Sequence, residues 1–152
     1  MNKWSSWEVF SPDNVKAIGA NKPGVYQFRV MAKAWTPKKI DRVRGADVSG
    51  TIYIGRSRRW VCARVKSFYY QVIGRRKDGH IAAAHFLCHG YKKVFPIKKM
   101  QFRYLHLSRK QAVEIEARLI NKYLHQFYDM PPLNFQLPVL SVHRPAGRGY
   151  KP

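Results

Sequence analysis

KPGVYQFRV (residues 22–30) and TIYIGRS (residues 51–57) decide the fold. Pro23 and Gly24 break the chain ahead of VYQFRVM, a run rich in β-branched and aromatic residues with rough alternation, which reads as a strand. TIYIG reads as a second strand, antiparallel to the first. Between them the polar, basic stretch from Trp35 to Gly50 reads as a long loop or hairpin excursion.

Downstream, RRWVCARVKSFYYQVIG (residues 58–74) carries apolar residues at Trp60, Val61, Val65, Phe68, Tyr69 and Val72. That is helical spacing, with a stop at Gly74. A second helix is expected over roughly His80–Cys88, ending at Gly90. MQFRYLHL (residues 100–107) sets Phe102, Tyr104 and His106 against Gln101, Arg103 and Leu105, a third strand. Ser108 then caps a long helix with Ala112, Ile115, Leu119, Ile120, Tyr123 and Leu124 as its apolar stripe. Upstream, residues 1–22 read as a lead-in, with a short helix from Ser11–Pro12 to Gly19. The order β-β-α-α-β-α predicts an α+β fold: a small antiparallel three-stranded sheet flanked by helices. Residues 1–152 are expected to form one domain, with its core at about 22–137 and a basic, extended tail over 138–152.

Charge narrows the partner. Lys and Arg total 29 against 8 acidic residues, a formal net charge of +21, while 45% of the chain is hydrophobic. The chain is therefore no disordered basic tail, and self-repulsion of that size is offset when a polyanion binds. No apolar run approaches the roughly 18 residues of a spanning helix, so no membrane partner is expected. MNKWSSWEVF lacks a secretory pattern and Cys62 and Cys88 are the only cysteines, so a reducing cytoplasm fits.

The acids narrow the chemistry. Two-metal nucleases gather several carboxylates around ions roughly 3.5–4 Å apart, and this chain has few to offer. Glu114 and Glu116 share a helix but, two positions apart, point to different faces. Glu116 borders the apolar stripe, so it is either a metal ligand or the partner of a neighbouring Arg. His85, Cys88 and His89 have spacing that could recruit zinc, but three ligands on one short helix without a clear fourth make a poor site.

Gly24-Val25-Tyr26 followed by Tyr53-Ile54-Gly55 resembles the paired signature of the GIY-YIG nuclease superfamily. Glu116-Ala-Arg-Leu-Ile resembles the family's E-x-x-L-I helix, and Pro131-Pro132-Leu133-Asn134 its closing P-x-x-N. The resemblance runs from about residue 22 to 137. It implies a metal-dependent endonuclease acting on double-stranded DNA, site-specific in the restriction or mobile-element manner. Tyr26 and Tyr53 would flank the scissile phosphate, Arg64 would face its developing charge, and Asn134 would brace the site. Glu116 would hold one Mg²⁺ (or Mn²⁺). Arg56 would touch the phosphate, Tyr69 or Tyr70 would stand near a family His or Tyr, and His80 would match a further His of some members. Arg58, Arg59 and Lys66 would grip DNA, and cutting both strands would call for a homodimer. The gap between the two triplets is longer than in compact members. Arg64 falls one residue late, which leaves Arg59 as its rival, and Phe68 occupies the usual aromatic place. The alternatives are a non-catalytic nucleic-acid-binding protein and a structure-selective repair or RNA nuclease of the same fold.

Overall fold

The computed structural model describes residues 3–33 and 35–137; the segment 138–152, expected as an extended tail, lies outside the described residues. Along the chain run β1 (Glu8–Val9), α1 (Pro12–Ala17), β2 (Gly24–Val30), β3 (Ile40–Asp41), β4 (Ala46–Asp47), β5 (Thr51–Ser57), α2 (Val61–Val72), α3 (Ile81–Cys88), β6 (Met100–His106) and α4 (Arg109–Phe127). The fold is α+β. Its main sheet has four strands in the order β1-β6-β2-β5, all antiparallel, and β3 and β4 form a separate two-stranded ribbon. The three-stranded sheet read from sequence is thus one strand short. Glu8 and Val9 pair with Phe102 and Gln101, and a two-residue strand carries no periodic signal of its own.

β2 is the centre. Tyr26 stands opposite Gly55 on β5 and Tyr104 on β6. Strand alternation sends Tyr26, Phe28 and Val30 to one face, where α1, α2 and α3 bury them with Phe68, Phe86 and Phe102. The residues expected to be a lead-in belong to this core: Phe10, Val15 and Ile18 are buried. Trp60 is not part of the buried stripe; it is 50% exposed at the N-terminus of α2. On the opposite face α4 covers Val25 and Leu105 with Ala112. A capping box at Ser108 and Gln111 starts α4 and satisfies two helix-end donors.

The excursion between β2 and β5 docks on the far end of α4. Arg44 N–H donates to the Phe127 carbonyl at 2.9 Å, and Arg42 pairs with Asp129 and donates to the Met130 carbonyl at 2.6 Å. Cations and donors at a helix C-terminus meet its unpaired carbonyls and the negative end of its dipole. Buried Asp47 accepts from Ser49, from the Thr51 N–H and from the Tyr123 hydroxyl at 3.0 Å, and so ties the start of β5 to α4.

Both triplet glycines are fixed by close approach. A Cβ on Gly24 would strike the Leu105 carbonyl of β6, and one on Gly55 would lie 2.6 Å from Tyr53 Cε1 and 2.9 Å from Tyr26 Cζ. The tyrosine rings therefore close over the bare backbone of Gly55. Gly24→Ala should cost about 1–3 kcal/mol or more in urea unfolding, because backbone rather than a movable side chain blocks the methyl group. Gly19→Ala, where nothing lies within 4 Å of the new Cβ, should cost far less. Equal losses at the two positions would contradict this packing.

Candidate active site

β5 is an edge strand, and its outward backbone groups organise the site. Alternate residues of an antiparallel strand turn N–H and C=O away from their partner. At Ile52 the carbonyl accepts from the Leu133 N–H at 2.9 Å. At Ile54, Asn134 supplies both partners: its Oδ1 accepts the Ile54 N–H at 3.0 Å and its Nδ2 donates to the Ile54 carbonyl at 2.8 Å. One side-chain amide thus stands in for a neighbouring strand. Side-chain alternation then puts Tyr53 on the α2 side of β5 and Arg56 on the α4 side. A cleft of about 360 Å³ runs along this edge, lined by Tyr53, Arg56, Arg64, Glu116 and Asn134.

Tyr26 lies behind Tyr53, fully buried, with the ring centroids 5.8 Å apart. Its hydroxyl is 2.9 Å from His80 Nε2. His80 opens α3 and is held from three directions. Its N–H donates to Gln71 Oε1 at 2.9 Å, its ring stands edge-on to Phe68, and Arg64 donates to the carbonyl of the preceding Gly79 at 2.8 Å. Burial, reinforced by the Arg64 charge, lowers the His80 pKa to about 3, so its imidazole is neutral at physiological pH. The Tyr26–His80 bond therefore joins two neutral groups, with the donor set by the imidazole tautomer.

Burial also raises both phenols, Tyr53 well above its ordinary value of 10.0 with the neighbouring Tyr26 adding to the shift. Arg64 pulls the other way on each, but desolvation wins, and both stay protonated in the resting site. Glu116 is ion-paired with Arg56 across the cleft. Burial raises the Glu116 pKa against the opposing pull of Arg56.

The helical phase of α2 selects which residues arrive. Arg64, Phe68 and Gln71 follow at i, i+4 and i+7 and face His80 and the cleft. Tyr69, about 100° further round the helix, stacks on Phe10 at 5.8 Å in the core. Neither it nor Tyr70 lines the cleft, and Phe68 is the aromatic of this helix that faces His80. Between Arg64 and its rival, Arg64 reaches the cleft. Arg59 joins Arg58, Arg109 and Lys110 around a separate basic hollow. Lys66, half-buried on α2, lies off the cleft. The sequence reading missed Gln71 and the rim formed by His85 stacked on Phe135 at 3.8 Å. The i, i+7 spacing from Arg64 was the available signal for Gln71.

Among the described residues no three His, Cys, Asp or Glu side chains group as a metal cage. Glu116 is the carboxylate on the cleft. A single carboxylate could hold Mg²⁺ or Mn²⁺ only with most of the ion's other ligands drawn from water or a bound anion, and here Glu116 is paired with Arg56. Neither a protein-family model, a curated protein nor a solved structure matches this chain.

His80 also sets a stability term. Its folded pKa lies below the ordinary 6.5, so the unfolded chain takes up the proton first as pH falls. The contribution is complete above about pH 6.5 and is lost progressively toward pH 3. In urea unfolding between pH 7 and 4, the wild type should therefore lose stability more steeply than His80→Asn, by up to about one proton's worth of slope. Parallel curves would show that His80 is not buried as a neutral ring.

Proposed function

We propose that this chain is a metal-dependent endonuclease that hydrolyses phosphodiester bonds of double-stranded DNA at the β5-edge cleft, as its resemblance to GIY-YIG nucleases implies. The observation that carries the reading is convergence. Tyr53 from β5, Arg64 from α2, Glu116 from α4 and Asn134 beyond it meet at one open cleft in a chain of net charge +21.

In this reading Arg64 and Arg56 face the phosphate and stabilise the negative charge that grows on it. The phenol oxygen of Tyr53 accepts a hydrogen bond from the attacking water and sets its line of approach. Tyr26 and His80 hold Tyr53 from behind, and Asn134 keeps β5 straight beneath it. Because burial keeps Tyr53 protonated in the resting site, it orients water there; a base role requires the cations that assemble with substrate to lower its pKa. Glu116 would hold the Mg²⁺, which when bound polarises the phosphate and offsets charge on the leaving oxygen. No helix among the described residues is long and apolar enough to cross a membrane. Site-specific cutting of both strands, of the restriction or mobile-element kind, would use two copies of the chain on one duplex.

Supercoiled plasmid with Mg²⁺ tests the reading. The wild type should nick and linearise it, while Glu116→Gln should bind with similar affinity and cut at least about 100-fold more slowly. Equal cutting by the two proteins would remove Glu116 from the reaction. Binding without cutting by the wild type, across Mg²⁺ and Mn²⁺ and on both DNA and RNA, would leave a binding protein in place of a nuclease.

A further inference from the structure

On the face of the sheet opposite the tyrosines a second cavity, about 380 Å³, lies between β2, β6 and the C-terminal half of α4. Arg29 and Arg103 line it from the sheet, and Lys122 and Gln126 from the helix. It is separate from the β5-edge cleft. Glu116 and Ile120 of α4 line that cleft, whereas Leu119, Lys122, Tyr123 and Gln126 line this cavity.

The two arginines are held in place. The Arg103 guanidinium lies 4.5 Å from the ring centroids of both Trp4 and Trp7, and that of Arg29 lies 4.2 Å from Trp7. Arg103 donates through Nε and Nη2 to Oε1 of buried Gln27 at 2.8 and 2.6 Å, and Arg29 donates through Nε to Gln101 Oε1 at 2.8 Å. Indole faces and neutral amides orient the guanidinium planes without neutralising them.

Their charge is unanswered. The ion pairs among the described residues are Arg42–Asp129, Arg56–Glu116 and Arg76–Asp78, none of which involves Arg29 or Arg103. Asp47, whose partner Tyr123 lines the cavity, is buried, with its carboxylate taken by Ser49, Thr51 and Tyr123. Desolvation lowers the pKa of both arginines, and Arg29 adds repulsion at Arg103. Two adjacent, partly desolvated guanidinium groups with a lysine close by and, among the described residues, no acid paired to them cost free energy until an anion arrives. The guanidinium N–H groups not donated to Gln27 and Gln101 can meet the oxygens of a phosphate.

We propose that this cavity is a phosphate-binding site, with Arg29, Arg103 and Lys122 as the cationic contacts and Gln126 as a neutral one. The chemistry recognised is a phosphate oxyanion, whether of a nucleic-acid strand or free. The site stands independently of the nuclease reading, since none of the residues of the β5-edge cleft takes part.

The four indole N–H signals of ¹⁵N-labelled protein test it, because Trp4 and Trp7 touch the arginines while Trp35 and Trp60 lie elsewhere. Inorganic phosphate is titrated at constant ionic strength against chloride, and in a second arm a short DNA duplex is added in EDTA. The Trp4 and Trp7 signals, assigned with Trp4→Phe and Trp7→Phe, should move saturably, and in the inorganic phosphate arm those of Trp35 and Trp60 should not. Movement in both arms makes the DNA strand the phosphate donor; movement with inorganic phosphate alone makes it a free anion. Arg29→Gln/Arg103→Gln should weaken the response at least tenfold, and Arg29→Lys/Arg103→Lys, which keeps the charge and loses the forks, should weaken it less. Glu116→Gln should leave it unchanged. The site is refuted if Trp4 and Trp7 stay still in both arms, or respond equally in the glutamine variant.

Discussion

The backbone of β5 needs partners on a side where the sheet has no further strand. A buried N–H or C=O left unpaired costs about 1–3 kcal/mol, so the outward groups of Ile52 and Ile54 must be met by something other than sheet. Leu133 and Asn134 meet them. That requirement brings the segment after α4 back along the edge, and it places Asn134 beside Tyr53 and Glu116. The cleft is thus a by-product of how the sheet is finished. The same pairing that closes the edge also builds the walls of the site.

Desolvation is the second organising force. Packing Tyr26, Tyr53 and His80 under α2 and α3 keeps all three neutral, although Arg64 lies close enough to pull both phenols toward ionisation. The resting site is therefore positively charged and proton-saturated at its phenols. Glu116 supplies the cleft's negative charge and is tied up by Arg56. On the proposed function, an arriving phosphate would compete for that arginine and free the carboxylate, so that substrate and metal would favour one another.

Much of this was legible in the sequence, for reasons that can be named. Gly24-Val25-Tyr26 and Tyr53-Ile54-Gly55 read as paired strands because alternation and the breakers around them are local signals, and their glycines mark backbone contacts at Leu105 and under the two tyrosines. Ser108 reads as a cap because the residues that complete the box lie within one turn. Which of Phe68, Tyr69 and Tyr70 faces the site was not legible, because the three differ only in helical phase; Phe68 meets His80 while Tyr69 stacks on Phe10 in the core. β1 escaped because its two residues gain strand geometry only from β6, and Phe10 entered the core through contacts distant in sequence. The indole–guanidinium cluster of Trp4, Trp7, Arg29 and Arg103 was hidden for the same reason: the sheet register joins positions with no local relation.

The most direct measurement is single-turnover cleavage of a DNA duplex by Tyr53→Phe and Tyr69→Phe, each beside the wild type and at saturating protein. If chemistry occurs at the β5 edge, loss of the Tyr53 hydroxyl should slow the cleavage step by about 100-fold or more with DNA affinity retained. Loss of the Tyr69 hydroxyl, against the core, should leave the step near the wild-type rate. Wild-type cleavage by Tyr53→Phe, or a larger defect in Tyr69→Phe, would place the chemistry somewhere other than this cleft.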